Sequence, residues 1–130
     1  MQLKIITHER IIFDGEADEI VIQTKTGQMG ILKDRLPVTT VLDIGVTKIK
    51  QGEKYRYFAT MGGIFQFKDN VATILTDVCE DGSDIDVTRA NAAKNRAEAR
   101  LADNAAKVDT QRAQAALARA LARLQAALNK

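Results

Sequence analysis

The amino-acid composition changes abruptly near residue 82, and this change constrains the fold more than any other feature of the chain. All eight glycines lie at or before Gly82, and the only proline is Pro37. Residues 86–130 contain 16 alanines. Glycine and proline are typical of turns between strands, whereas alanine has the highest helix propensity. The sequence therefore predicts a β-domain at residues 1–83 and a helical domain at residues 84–130.

The first domain is predicted to consist of short strands separated by turns, the pattern of a sandwich or barrel. Residues Val46 to Lys50 alternate apolar and polar side chains, which is typical of a half-buried strand. The candidate strands are residues 3–7, 10–13, 19–25, 29–32, 46–50, 55–61, 64–67 and 71–78. Because these are too many for one small open sheet, we expect two packed sheets.

The second domain is predicted to form two helices, at about residues 84–102 and 109–128, with a break at Asp103-Asn104 and Asp109 as a cap. Apolar residues repeat at helical spacing in each: Ala90, Ala93, Ala97 and Leu101 in the first, and Leu117, Leu121, Leu124 and Leu128 in the second. A short connection favours antiparallel packing. A hairpin this small must pack against the β-domain or against another protein. If these two contacts have similar free energies, the hairpin can switch between them.

Six arginines form two trios with the same i, i+7, i+11 spacing, so each trio falls on one helix face. They are Arg89, Arg96 and Arg100 in the first helix, and Arg112, Arg119 and Arg123 in the second. A solvated helix face is the plain interpretation. Arginine is also the residue that best recognises phosphate or carboxylate. Residues 1–82 carry a net charge of −2 and residues 83–130 a net charge of +4, which favours an anionic partner for the hairpin.

Several classes of protein are disfavoured by what the sequence lacks. No apolar run approaches the roughly 18 residues of a membrane span, and the N-terminus does not resemble a signal peptide. The single cysteine, Cys79, is expected to be a small buried apolar residue in an intracellular protein, and the single histidine, His8, is expected to be exposed or at an interface. Neither a zinc-ligand cluster nor a Walker-type phosphate loop occurs, so we expect no catalytic residues and no metal.

The segment Ile85-Asp86-Val87-Thr88-Arg89-Ala90 resembles the Ile/Leu-Asp-x-x-Arg-Ala nucleotide-binding motif of bacterial ATP synthase epsilon subunits. Gly27 to Leu32 is similar to that family's Gly-x-x-Gly-Ile/Leu turn, and Met61 to Phe67 to its Gly-Gly strand start. Arg112 to Leu124 is similar to its C-terminal Arg-Ala-x-x-Ala-Leu-x-Arg-Ala-x-x-Arg-Leu pattern. The four segments occur in the family's order and span nearly the whole chain.

This resemblance implies an α+β fold, in which a sandwich of about ten strands precedes an antiparallel two-helix hairpin. It implies a non-catalytic rotor subunit of the proton-translocating ATP synthase, peripheral on the cytoplasmic side of the cell membrane. The implied partners are the gamma subunit, the c ring, and the alpha and beta subunits of the catalytic head. The hairpin would regulate or inhibit ATP hydrolysis when extended along gamma. No cofactor is required, and ATP would be a regulatory ligand of the folded-down hairpin.

The resemblance also assigns site residues. The nucleotide ligands are Glu80, Ile85, Asp86, Arg89, Arg96, Arg119 and Arg123, with the arginines at the phosphates. The contacts with gamma and the c ring are Gln28, Met29, Arg35, Leu36 and Pro37. Gln28 replaces a glutamate common in the family, and residues 33–37 replace a common Pro-Gly-His-x-Pro, so that Arg35 stands in place of a histidine.

Two other functions use the same basic hairpin. A free-standing nucleotide sensor would need the arginines but no partner surface, so co-purification with gamma separates it from a rotor subunit. A nucleic-acid binder is disfavoured because aromatic residues are few and lysine-rich tracts are missing from the sequence, and salt-sensitive gel shifts would test it.

Overall fold

The computed structural model describes residues 1–103 and 109–129, which form eight β-strands, one 3-10 turn and two α-helices. The strands are β1 (Gln2–Ile6), β2 (Ile11–Glu16), β3 (Glu19–Thr24), β4 (Gly27–Leu32), β5 (Val38–Gln51), β6 (Lys54–Lys68), β7 (Val71–Leu75) and β8 (Cys79–Asp81). The 3-10 turn (Gly82–Asp84) leads to α1 (Val87–Ala102) and α2 (Thr110–Leu128). The predicted α+β class is confirmed, while the predicted break at Asn104 lies outside the described residues. Neither of the described helices is both long and apolar enough to span a bilayer.

Two long strands connect the layers of the sandwich. β5 has 14 residues and β6 has 15, and they pair antiparallel from Val38↔Phe67 to Gln51↔Lys54. The register omits Asp43 and Gly62, and Gly62 and Gly63 have φ values of 77° and 121°, which glycine adopts without a Cβ penalty. Each long strand bends there and serves both layers, so the eight strands supply the roughly ten strand segments that were predicted.

The first layer contains β2, β1, β7, the end of β6 and the start of β5, and the second contains β8, the start of β6, the end of β5, β3 and β4. Between them lies an aliphatic core with a few aromatic rings: Leu3, Ile5, Phe13, Ile20, Ile22, Ile31, Leu42, Ile49, Phe58, Phe65, Phe67 and Ile74. Cys79 is buried in this core, as predicted. Burial raises the pKa of its thiol to about 11, so the sulfur stays protonated and inert at neutral pH.

The hairpin lies on the outer face of the second layer and contacts it through α2. Ala122, Ala126 and Ala127 of α2 share one buried cluster with Ala59 of β6. Ala90, near the start of α1, belongs to the same cluster as the end of α2, so the two helices are antiparallel. α1 packs mainly against α2, and α2 therefore carries the attachment of the hairpin to the sandwich.

The leucine stripe predicted on α2 is not the face that the structure buries. Of its four members only Leu124 is buried, whereas Leu121 is 45% exposed and Leu128 is 73% exposed. The buried α2 residues are otherwise alanines: Ala113, Ala120, Ala122, Ala126 and Ala127. Small side chains let α2 approach both the sheet and α1, at the cost of burying little apolar area. Larger side chains complete the contact, so weak packing of the hairpin stays a prediction; they are Leu124, Ile85 and the half-buried Ile44, Val46, Tyr57 and Met61.

Candidate functional site

A cleft of about 400 Å³ lies where the segment before α1 meets the two helices. We call it the arginine cleft, and it is lined by Glu80, Asp84, Ile85, Asp86, Arg89, Ala90, Ala93, Arg96 and Arg123. Six of the seven residues that the resemblance assigns to a nucleotide are among these. They come from β8, the start of α1 and the end of α2, which only the folded hairpin brings together.

Charges in the arginine cleft are unevenly paired. The Nε of Arg123 donates a hydrogen bond of 2.8 Å to Oε1 of Glu80, and this ion pair joins α2 to the sandwich. Among the described residues, the side chains of Arg89 and Arg96 form no ion pair, and both are exposed. Two guanidinium groups two turns apart on α1 are thus open to an anion, and planar guanidinium groups suit phosphate oxygens.

The N-terminus of α1 also opens into the cleft. Asp86 is its N-cap, and Oδ1 of Asp86 accepts a hydrogen bond of 3.1 Å from the backbone N–H of Arg89. The unpaired N–H groups and the helix dipole at such an end favour negative charge. Asp86 consequently has a structural role as a cap in addition to the ligand role that the resemblance implies.

The segment that carries Glu80 is tied to the sandwich by Arg56, a contact that sequence reasoning did not find. One guanidinium nitrogen of Arg56 donates to Oδ2 of Asp81 at 2.7 Å, and the backbone N–H and hydroxyl of Ser83 donate to Oδ1 at 3.0 and 2.8 Å. Partial burial acts to raise the pKa of Asp81, but these hydrogen bonds outweigh it and the pKa is lowered. The guanidinium also packs 5.1 Å from the ring centre of Phe13. Arg56 and Asp81 are far apart in sequence, so no local pattern indicated the pair.

Three of the six arginines lie outside the lining of the cleft. Arg119, which the resemblance assigns to the nucleotide, is half-buried one turn before Arg123 on α2. Arg100 and Arg112 are exposed. The trios do share helix faces, but the cleft is limited to the end of the hairpin that lies beside Glu80 and Ile85.

The predicted contacts with gamma and the c ring fall into three different environments. Gln28 lies in a groove beside α2 with Gln23 and Gln125, whereas Met29 packs against the sandwich core. Arg35, Leu36 and Pro37 are exposed in the loop after β4, and Leu36 is 80% exposed. The start of that loop is fixed because the backbone N–H of Asp34 donates to Oδ1 of Asn70 at 2.6 Å.

The structure adds a surface that the sequence did not reveal. Five aliphatic side chains are cross-strand partners in one row over the outer face of the first layer: Val41, Ile64, Leu75, Ile6 and Ile11. Four of them are between 47% and 56% exposed, and Ile6 is half-buried. We call this the aliphatic row, and it lies on the side of the sandwich opposite the hairpin. Its members come from five strands, so they are recognisable as one surface only when the pairing register is known.

Among the described residues there is no group of three His, Cys, Asp or Glu side chains that could hold a metal ion. His8 is exposed beyond the end of β1 and lies 3.8 Å from Glu9. Its exposure matches the sequence prediction.

Comparison with known families matches both parts of the chain. The family described as "ATP synthase, Delta/Epsilon chain, beta-sandwich domain" matches residues 1–82, and that described as "ATP synthase, Delta/Epsilon chain, long alpha-helix domain" matches residues 83–127.

Individual relatives agree with these matches. An ATP synthase epsilon chain of Symbiobacterium thermophilum is 47% identical over 109 residues, which cover 83% of this chain and 78% of the relative. The chloroplastic ATP synthase epsilon chain of Emiliania huxleyi is 40% identical over 106 residues, covering 82% and 81%.

Solved structures have the same fold. A chain in the Euglena gracilis mitochondrial ATP synthase (OSCP/F1/c-ring) superimposes with a TM-score of 0.82 at 26% identity, covering 97% of this chain and 79% of that one. A chain of the Tetrahymena thermophila mitochondrial ATP synthase central stalk and c-ring has a TM-score of 0.63 at 15% identity, covering 98% and 96%, and supports the fold alone.

The capping role of Asp86 predicts a difference between two substitutions. Asp86→Ala should destabilise the hairpin by about 1 kcal/mol because the cap is lost, whereas Asp86→Asn should cost little because asparagine also caps helices well. Amide hydrogen exchange of α1 measures the effect. Asp109→Ala is the matched control, since Asp109 caps α2 through the N–H of Arg112 but does not line the cleft. Equal exchange in Asp86→Ala and wild type would contradict the capping role.

Proposed function

This chain belongs to the delta/epsilon family of ATP synthase subunits, and we propose that it is a central-stalk subunit whose hairpin binds ATP and regulates ATP hydrolysis. As an epsilon chain it is a non-catalytic part of a membrane-associated complex. The observation that carries the regulatory proposal is the arginine cleft, in which β8, α1 and α2 meet around unpaired guanidinium groups. A ligand held there contacts both the sandwich and the hairpin.

The cleft has complementary ends for a nucleotide triphosphate. Arg89 and Arg96 are open to the phosphates further along α1. Ile85 is buried just before the N-cap of α1 and offers an apolar wall to the base, with Glu80 and Asp86 as acceptors for adenine and ribose. Arg123 forms an ion pair with Glu80, so this pair must break before the guanidinium group of Arg123 can bind a phosphate. Arg119 joins the set from the neighbouring turn of α2. ATP is a ligand in this proposal and is not hydrolysed.

The energies are sufficient for a switch. Moving a two-state equilibrium from 1:99 to 99:1 needs about 5.5 kcal/mol of differential affinity. Hydrogen bonds to charged groups contribute about 1.5–3 kcal/mol each. Two to four arginine–phosphate contacts made only by the docked hairpin therefore supply this difference. The contact between α2 and the sheet acts in the same direction as ATP, because it too is made only by the docked hairpin.

In the assembled enzyme, and without ATP, the hairpin exchanges its contact with the sandwich for a contact with gamma and extends towards the alpha and beta subunits. Its net charge of +4 over residues 83–130 favours acidic surface on those subunits. Contact between the extended hairpin and the catalytic head slows ATP hydrolysis, so ATP bound in the cleft relieves the inhibition.

The sandwich attaches the subunit to the rotor. We assign the aliphatic row to gamma, because it is a broad apolar surface on the face that the hairpin leaves free. The exposed loop with Arg35, Leu36 and Pro37 is assigned to the c ring, together with Gln28 and Met29 of β4. Two partners then bind at separate places, and the contact at the aliphatic row is on the face of the sandwich opposite the hairpin. The subunit is thereby held at the cytoplasmic side of the cell membrane.

The two alternatives are weaker once the geometry is known. A free-standing nucleotide sensor gives no reason for an exposed aliphatic row across five strands. A nucleic-acid binder needs a broad basic surface, whereas three of the arginines converge on one small cleft and Arg123 is paired with Glu80.

ATP affinity is expected to depend on the cleft arginines. Arg89→Ala and Arg119→Ala should each weaken ATP binding by about tenfold or more, because each removes a charged hydrogen bond. Isothermal titration calorimetry of the full chain measures this. Arg112→Ala is the control, since Arg112 is exposed and outside the cleft. Unchanged affinity in Arg89→Ala would refute the nucleotide site, and unchanged affinity in Arg119→Ala would remove that residue from it.

Removal of residues 86–130 should raise the rate of ATP hydrolysis by the reassembled enzyme, because no hairpin remains to reach the catalytic head. The rate is measured with matched amounts of full-length and shortened subunit bound, as checked on stained gels. An unchanged rate with full occupancy would defeat the inhibitory proposal while leaving the stalk role intact.

Binding to gamma should be sensitive to charge in the aliphatic row. Ile64→Glu places a carboxylate between Val41 and Leu75 in the row and should weaken binding by about tenfold or more, because that charge must be desolvated. Leu128→Glu is the control, as Leu128 is more exposed but lies at the end of the hairpin. Pull-down titration with purified gamma distinguishes the two, and equal affinities would exclude the row as the gamma contact.

A further inference from the structure

Gly82 is buried beneath the last turns of α2. A Cβ atom built on Gly82 would overlap the carbonyl oxygen of Ala126 and lie 2.7 Å from its carbonyl carbon. It would also lie 3.1 Å from the carbonyl oxygen of Tyr57 on β6. All three are backbone atoms, so none can rotate away as the end of a side chain would. Any other residue at this position must move α2 or the strand.

The requirement for glycine here is one of space. Gly82 is not among the glycines with positive φ, so an alanine could adopt its backbone conformation. The neighbouring turn is also held firmly, because Asp81 is bound by Arg56 and by Ser83. The element with freedom to move is therefore α2, whose contact with the sheet is made mostly of alanines.

The position of this contact connects it to the arginine cleft. Gly82 follows Glu80 by two residues, and Ala126 follows Arg123 by three. The distance between the backbones at Gly82 and Ala126 consequently limits how closely Glu80 and Arg123 can approach each other, and they form an ion pair of 2.8 Å. Gly82 does not itself line the cleft.

We infer that Gly82 is a positioning residue, which seats α2 on the sandwich and thereby sets both the docked population of the hairpin and the width of the arginine cleft. The inference deepens the proposed function, since it rests on a hairpin that can leave the sandwich. In this inference, Gly82 influences docking of the hairpin without carrying a charge and without contacting the ligand.

The test is hydrogen exchange, followed by mass spectrometry, on full-length Gly82→Ala without nucleotide. Protection of α2 should fall by about tenfold or more, while β1 and β7 keep the protection of wild type. Gly30→Ala is the matched control, because Gly30 is exposed in β4 and a Cβ built there meets no atom within 4 Å. This control should leave α2 unchanged.

Calorimetric titration with ATP then tests the effect on the cleft. Affinity should fall by about tenfold or more in Gly82→Ala, because displacement of α2 widens the cleft and separates Arg123 from Arg89 and Arg96, and should stay at the wild-type value in Gly30→Ala. Loss of α2 protection with unchanged affinity would overturn the link to the cleft.

Two exchange results would overturn the seating role itself. One is equal α2 protection in Gly82→Ala and wild type, and the other is an equal loss in β1 and β7, which would mean that Gly82 supports the sandwich as a whole. Failure of wild type to bind ATP would count against the nucleotide proposal alone, because the exchange experiment contains no nucleotide.

Discussion

Alanine side chains and Leu124 on one face of α2 pack with Ala59, Tyr57 and Met61 of β6, and this contact holds the hairpin on the sandwich. Its area is limited because alanine has only one side-chain carbon to bury. A contact of this kind brings backbones close together without making the assembly permanent. The lining of the cleft at the end of the hairpin comes from β8, α1 and α2, so the proposed ligand would couple its own binding to docking.

Two ion pairs lie beside that contact, and they connect different elements of the structure. Arg56 and Asp81 join β6 to β8, so this ion pair lies within the sandwich. Glu80 and Arg123 join β8 to α2, the helix that moves in the proposed function. Both partners of the second pair are partly exposed, and such pairs are worth little in water. A multivalent anion can therefore replace Glu80 at Arg123 and add contacts to Arg89 and Arg96 that a single carboxylate does not provide.

The two-layer sandwich allows attachment and movement at the same time. The hairpin covers the outer face of the second layer, whereas the aliphatic row covers the outer face of the first layer. The long strands β5 and β6 belong to both layers, which makes the two faces parts of one rigid body. A partner bound to the aliphatic row stays in place whether α2 is seated or not. This separation is what the proposed rotor role requires of a subunit with a mobile inhibitory segment.

The sequence alone determined the fold class and the position of the change from strands to helices, because glycine, proline and alanine act through backbone preference. Ile85, Asp86 and Arg89 of the arginine cleft belong to one contiguous motif, whereas Glu80, Arg96 and Arg123 were assigned through the family resemblance. The tertiary structure decided which faces are buried. The leucine stripe of α2 looked like its core face, but close approach to the sheet selected the alanines, and Leu121 and Leu128 remain exposed. The tertiary structure also determined three features that join residues distant in sequence: the Arg56–Asp81 ion pair, the aliphatic row, and the close approach of α2 to Gly82. The periodicity of a sequence carries no information about such pairs.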